Sequence, residues 1–160
     1  MKQLIVSICL LLAGLQAKAG DGDKFFNANA GFLFRSTFNA SLGYEHELIN
    51  GNAVELFGEL GNYRQQNTEA ARFNAYYLDG GLLYKYRLAK YKNSALRLRL
   101  GPLCGANRGN FFLGVEAGME YNLTFPSGVQ LALIQKNNLN FLHGDKFRSG
   151  LMIGLRVPMN

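Results

Sequence analysis

Apolar and polar residues alternate along this chain with a period of two. The clearest stretch is Leu113 to Leu123. There Leu113, Val115, Ala117, Met119, Tyr121 and Leu123 share one face, and Gly114, Glu116, Gly118, Glu120 and Asn122 share the other. A strand points successive side chains to opposite faces, whereas a helix would scatter the two sets, so the pattern predicts a β-strand. Other segments repeat it. Phe38, Ala40, Leu42 and Tyr44 oppose Asn39, Ser41, Gly43 and Glu45, and Val54, Leu56 and Leu60 oppose Glu55 and Glu59. Leu78, Leu82, Tyr84 and Tyr86 oppose Asp79, Gly81, Lys85 and Arg87, while Leu96, Leu98 and Leu100 oppose Arg97, Arg99 and Gly101. Leu131 and Leu133 oppose Gln130, Ala132 and Lys136, and Phe147, Leu151, Ile153, Leu155 and Val157 oppose Arg148, Gly150, Gly154 and Arg156. The first segment, Phe25 to Phe34, is less regular, but it sets Ala28, Ala30 and Phe32 against Asn27, Asn29 and Gly31.

Eight such strands, most near the ~9–11 residues that cross a bilayer at a tilt, predict a hairpin array closing on itself. Asn50-Gly51 is a strong tight-turn signal, and Pro126-Ser127-Gly128 is a second. Polar breaks are expected at Ala89 to Ser94 and Ala106 to Asn110, with the longest loops at Arg64 to Ala71 and Asn138 to Lys146. The predicted fold class is all-β: an eight-stranded antiparallel up-and-down β-barrel of outer-membrane type.

The first nineteen residues are read separately. Lys2 precedes an apolar run from Leu4 to Leu15, and Ala17-Lys18-Ala19 offers a small-x-small cleavage site. This is the layout of a secretory signal peptide. Residues 1–19 are therefore expected to be cleaved, and residues 20–160 to form a single barrel domain. Cys9 leaves with the signal, so Cys104 is expected as a lone thiol, small and either buried or lipid-facing.

Composition narrows the picture. The chain has 160 residues with 18% charged, 19 glycines, 12 Phe, 8 Tyr and no Trp. That excludes a disordered chain and a coiled coil, and two cysteines exclude a disulfide scaffold. The formal charge of +6 falls to +4 once Lys2 and Lys18 are removed, and no basic cluster is dense enough to predict direct nucleic-acid binding.

Alternation alone does not say which face looks inward. A soluble lipocalin-like barrel hides the apolar face, whereas an outer-membrane barrel turns it to lipid. Two features favour lipid. The polar face is also the glycine-rich face, as suits a crowded lumen. It also carries a balanced set of charges: Glu45, Glu47, Glu55, Glu59, Asp79, Glu116 and Glu120 against Lys85, Arg87, Arg97, Arg99, Lys136, Arg148 and Arg156. A confined lumen needs such pairing, and structural ion pairs are the expected role. With the N-terminus in the periplasm, Tyr44, Tyr84, Tyr86 and Tyr121 fall near one interface, and Phe38, Phe73, Phe111 and Phe147 near the other. The chain ends without the terminal aromatic of many outer-membrane barrels, and Pro158 must lie near a strand end.

Candidate chemistry is sparse. His143 and Asp145 lie in the last loop with Ser149 nearby, a set that a lipid acyl-transfer or deacylating barrel could use; a polar loop is the favoured reading. His46 reads as an interfacial residue. No metal-ligand spacing and no phosphate-cradling glycine motif occurs, so no cofactor, metal or catalytic residue is expected. Arg64, Arg72, Arg108 and Lys146 read as rim charges.

Several landmarks resemble the TraO proteins of Bacteroides-type conjugative transposons. They are Leu56-Phe57-Gly58-Glu59, Asp79-Gly80-Gly81 leading into Tyr84, Gly114 with Glu116, Glu120 and Tyr121, Phe141-Leu142-His143-Gly144, and the closing Lys146-Phe147 with Gly154-Leu155-Arg156. The resemblance runs from about Val54 to the end. It implies a non-enzymatic outer-membrane component of a conjugation apparatus, with outer-membrane lipid and other transfer proteins as partners. It implies no catalytic residue.

Overall fold

A computed structural model of the chain describes residues 22–34, 36–48, 50–63, 76–107, 110–141 and 146–159. Among them eight strands run in sequence: β1 (Lys24–Leu33), β2 (Ser36–Glu47), β3 (Ala53–Tyr63), β4 (Tyr76–Tyr91), β5 (Ser94–Asn107), β6 (Asn110–Thr124), β7 (Gln130–Asn140) and β8 (Phe147–Met159). Each pairs antiparallel with the next, and β8 pairs with β1, which closes the barrel and leaves no open sheet edge.

The register fixes the geometry of the wall. From Lys24 the pairing leads through His46, Val54, Tyr84, Leu100, Ala117, Asn137 and Ser149. It returns to β1 at Phe34, ten residues further on, where the Phe34 amide donates to the Ser149 carbonyl at 2.6 Å. A stagger of this size tilts the strands against the barrel axis, by ~35–45° in barrels of this kind, and leaves a bore that side chains can fill.

Turns follow the local chemistry. Gly51 takes φ +78° after Asn50, and Gly128 takes φ +83° after Pro126-Ser127, left-handed conformations that glycine adopts without penalty. The β4–β5 connection is shorter than the sequence suggests. β4 runs on to Tyr91 and β5 starts at Ser94, so the polar stretch Ala89 to Ser94 is mostly strand, held by pairs such as Lys90 with Ala95. Similarly, β5 continues to Asn107, and β7 reaches Asn140, so Asn138 and Asn140 line the wall rather than a loop. Polarity alone does not mark a loop: Lys90 and Tyr91 stay exposed while paired in the wall, and Asn138 and Asn140 face a polar lumen. Pro158 lies near the end of β8, as expected. The segment Arg64 to Phe73 (which includes Arg72), Arg108, Leu142 to Asp145 and the signal segment 1–19 lie outside the described residues.

Candidate functional site: the charged lumen and the outer wall

The parity of each strand decides the lumen. Of the fourteen charged residues predicted to face inward, twelve are buried; Glu47 and Arg87 are half-buried. Towards the end that holds the tight turns, the Lys85 ammonium lies 2.6 Å from Glu45, 2.9 Å from Glu55 and 2.7 Å from Glu120. Arg97 donates to Glu45 at 2.8 Å and to Glu47 at 2.6 Å. Arg156 also reaches Glu45, and its guanidinium stacks 4.3 Å from the Phe25 ring. The Asn27 amide donates to Glu45 at 3.0 Å and to Glu55 at 2.7 Å.

The network continues up the bore. Arg99 contacts Glu116 at 3.0 Å and Glu120 at 3.2 Å. Lys136 of β7 lies 3.0 Å from Glu116 and pairs across the bore with Glu59 of β3. At the far rim Arg148 donates to Asp79 at 2.8 Å. Its guanidinium lies 4.1 Å from the Tyr77 ring and 5.2 Å from the Phe112 ring. Tyr77 in turn donates to Glu59 at 3.0 Å. Charge in a low-dielectric interior is tolerated only when paired and hydrogen-bonded in this way. The result is a cross-linked plug from rim to rim, with Phe57, Leu83, Leu103 and Phe112 packed between the charges as an apolar cluster.

The predicted structural ion pairs are thus present. The apolar insertions were not anticipated, although parity gives them: Phe57 is two residues from both Glu55 and Glu59, Tyr77 two from Asp79, and Phe112 two from Gly114. Glycine makes room for the long side chains. A Cβ on Gly43 or Gly154 would collide with the side chains of Glu55 and Asn29 respectively.

The outer wall is the reverse. Leu42, Leu56, Leu78, Leu100, Ile153 and Leu155 are all about half or more exposed, Leu78 at 62%. Aromatics bracket this belt. Phe26, Tyr44, Tyr84, Tyr86 and Tyr121 stand towards the turn end, and Phe34, Phe38, Tyr76, Phe111 and Phe147 towards the far rim, all exposed. Tyr76 and Tyr84 are eight residues apart on β4. At ~3.3 Å per residue and a ~40° tilt this separates the girdles by roughly 20 Å, close to the apolar band of a spanning barrel. Ala28, Ala30, Ala40 and Gly58 thin the wall over β1–β3 and leave a shallow depression of about 790 Å³. Cys104 lies exposed on the outer face and is not buried.

The remaining candidates are scattered. Ser149, half-buried, donates to Asn137 at 2.8 Å. His46 is half-buried near the end of β2 and pairs in register with Lys24 and Val54. Among the described residues no group of His, Cys, Asp and Glu is arranged to hold a metal ion.

No family model and no curated protein matches the chain. One solved structure with the same fold is described as "De novo design of transmembrane beta-barrels". It aligns with a TM-score of 0.53 and 12% identity, over 88% of this chain and 99% of that one. The likeness is one of fold: a small eight-stranded barrel of the transmembrane type.

Proposed function

We propose that this chain is an outer-membrane barrel, exported through a cleaved signal peptide, that anchors or docks part of a conjugative transfer apparatus. The observation that carries the membrane half is the inverted distribution of polarity. A water-soluble barrel would expose its charges and bury its leucines; this one does the opposite, and brackets its apolar belt with aromatic residues. The filled bore favours an anchor over a diffusion channel. The transfer role rests on the TraO-like landmarks of the sequence, and its partners are outer-membrane lipid and other transfer proteins rather than DNA.

Fractionation of cells carrying a tagged chain tests the first half: recovery in the outer-membrane fraction is expected, and a soluble periplasmic barrel would overturn it. Mating frequency from a donor deleted for the gene tests the second. A loss restored by complementation in trans is expected. Unchanged transfer would overturn an essential conjugation role and leave a general envelope barrel.

A further inference from the structure

One of the fourteen inward charges stands outside the ion-pair network. Lys85, Arg97, Arg99, Lys136, Arg148 and Arg156 each meet at least one carboxylate. Arg87, half-buried towards the turn end of β4, meets none among the described residues, and its guanidinium makes no hydrogen bond to any of them. Its register partner on β5 is Arg97, so two cations stand directly opposite on adjacent strands. Like charges so placed weaken a sheet. Glu45 and Glu47 compensate Arg97, and Arg87 is left over.

The guanidinium is nevertheless held in place. A Cβ on Gly51 would fall on it, so it lies against the β2–β3 turn, over a buried residue that has no side chain. The Arg87 main-chain N–H donates to the Asn52 side chain at 3.0 Å, and the Asn52 amide donates to the Tyr84 hydroxyl at 2.8 Å. A cation that costs the wall stability, yet is seated by a neighbouring turn, is arranged for recognition rather than for the fold.

From these observations we infer that Arg87, at the turn-end mouth of the bore, is the seat for a carboxylate of an acidic polypeptide segment. The planar guanidinium matches a carboxylate with two parallel hydrogen bonds. One carboxylate balances the one uncompensated charge, whereas phosphate is nearly doubly charged and would overbalance it beside Glu47. The surrounding rim suits a run of acids rather than a single small one. Lys24, Lys90 and Lys92 are exposed there, and Asp23 is the one exposed acid among the described residues. Lys90 and Lys92 follow Arg87 on the same hairpin, so further carboxylates of the segment can approach them. The seat stands on the closed barrel alone, whatever solvent surrounds the wall, and it gives the docking rim a chemistry.

The test is titration of fluorescent hexaglutamate, with hexaglutamine as control, into the folded mature chain in an uncharged detergent. Saturable binding of hexaglutamate alone is expected, weakening with added salt. Arg87→Gln should weaken it by roughly ten-fold or more. Arg87→Lys should restore only part, because it keeps the charge and loses the fork. Lys90→Gln combined with Lys92→Gln should weaken it less than Arg87→Gln does. Unfolding separates recognition from structure: Arg87→Gln without peptide should unfold at the same denaturant concentration or a higher one, since it relieves the repulsion from Arg97. A lower midpoint would make Arg87 a strut of the wall and overturn the seat. Absence of binding, or binding that Arg87→Gln leaves unchanged, overturns it too. Displacement of the peptide by less inorganic phosphate than acetate, at matched ionic strength, would assign the seat to phosphate and overturn the carboxylate. The membrane and transfer readings are decided separately, by fractionation and mating.

Discussion

Arg148 of β8 and Asp79 of β4 spring from opposite walls of the barrel, yet the guanidinium donates to the carboxylate at 2.8 Å. Three strands lie between them in either direction. The contact therefore spans the bore at the far rim. Replacing Asp79 by Ala leaves the buried guanidinium without this carboxylate and is expected to cost about 3–5 kcal/mol in urea unfolding from lipid vesicles. Asp79→Leu combined with Arg148→Met should recover most of that loss, because two packed apolar groups replace two desolvated charges. A single substitution that leaves the midpoint unchanged would show that the pair does not form.

Conductance reports on the rest of the bore. Lys136 to Glu59 is a second crossing, and Lys85 joins three strands besides its own through Glu45, Glu55 and Glu120. The chain in a planar bilayer is expected to pass no steady ion current. Removing both crossings with Lys136→Ala and Arg148→Ala should produce measurable, fluctuating current. A steady porin-like conductance from the unaltered chain would contradict the plugged lumen.

Two glycines of opposite orientation give a paired stability test. A Cβ on Gly101 would collide with the Leu82 backbone carbonyl, whereas one on outward-facing Gly58 meets nothing within 4 Å. Gly101→Val should therefore lower stability by about 1–3 kcal/mol through forced backbone movement. Gly58→Val should be neutral or slightly stabilising, since it restricts the unfolded chain and adds β-branched surface to the wall. Unfolding of the two variants side by side decides the matter.

The outer wall can be probed by charge. Leu56 and Ile153, each 61% exposed, lie on the outward apolar face between the girdles. Arginine at either site should destabilise the folded barrel in lipid by about 2–4 kcal/mol. On a water-facing surface the same change would be harmless or improve solubility, so the sign of the effect identifies the solvent around the barrel.

Much of this was legible in the residues because a strand has the simplest of periodicities. Once Glu116 and Glu120 are placed on one face, each second residue follows them, and the same parity places Lys85, Arg97 and Arg156. The strand ends were harder to read. Ala89 to Ser94 and Asn138 to Lys146 are polar, and polarity reads as loop when the surroundings are unknown. The structure shows most of the first stretch as strand and buries Asn138 and Asn140.

The number of strands, their two faces and the balance of seven acids against seven bases follow from near neighbours along one chain. Which carboxylate meets which cation follows instead from the closed barrel. Glu45 serves Lys85, Arg97 and Arg156 from three different strands. Those partners lie 40, 52 and 111 residues away, and it is closure of the wall with its ten-residue stagger that brings them within hydrogen-bonding distance.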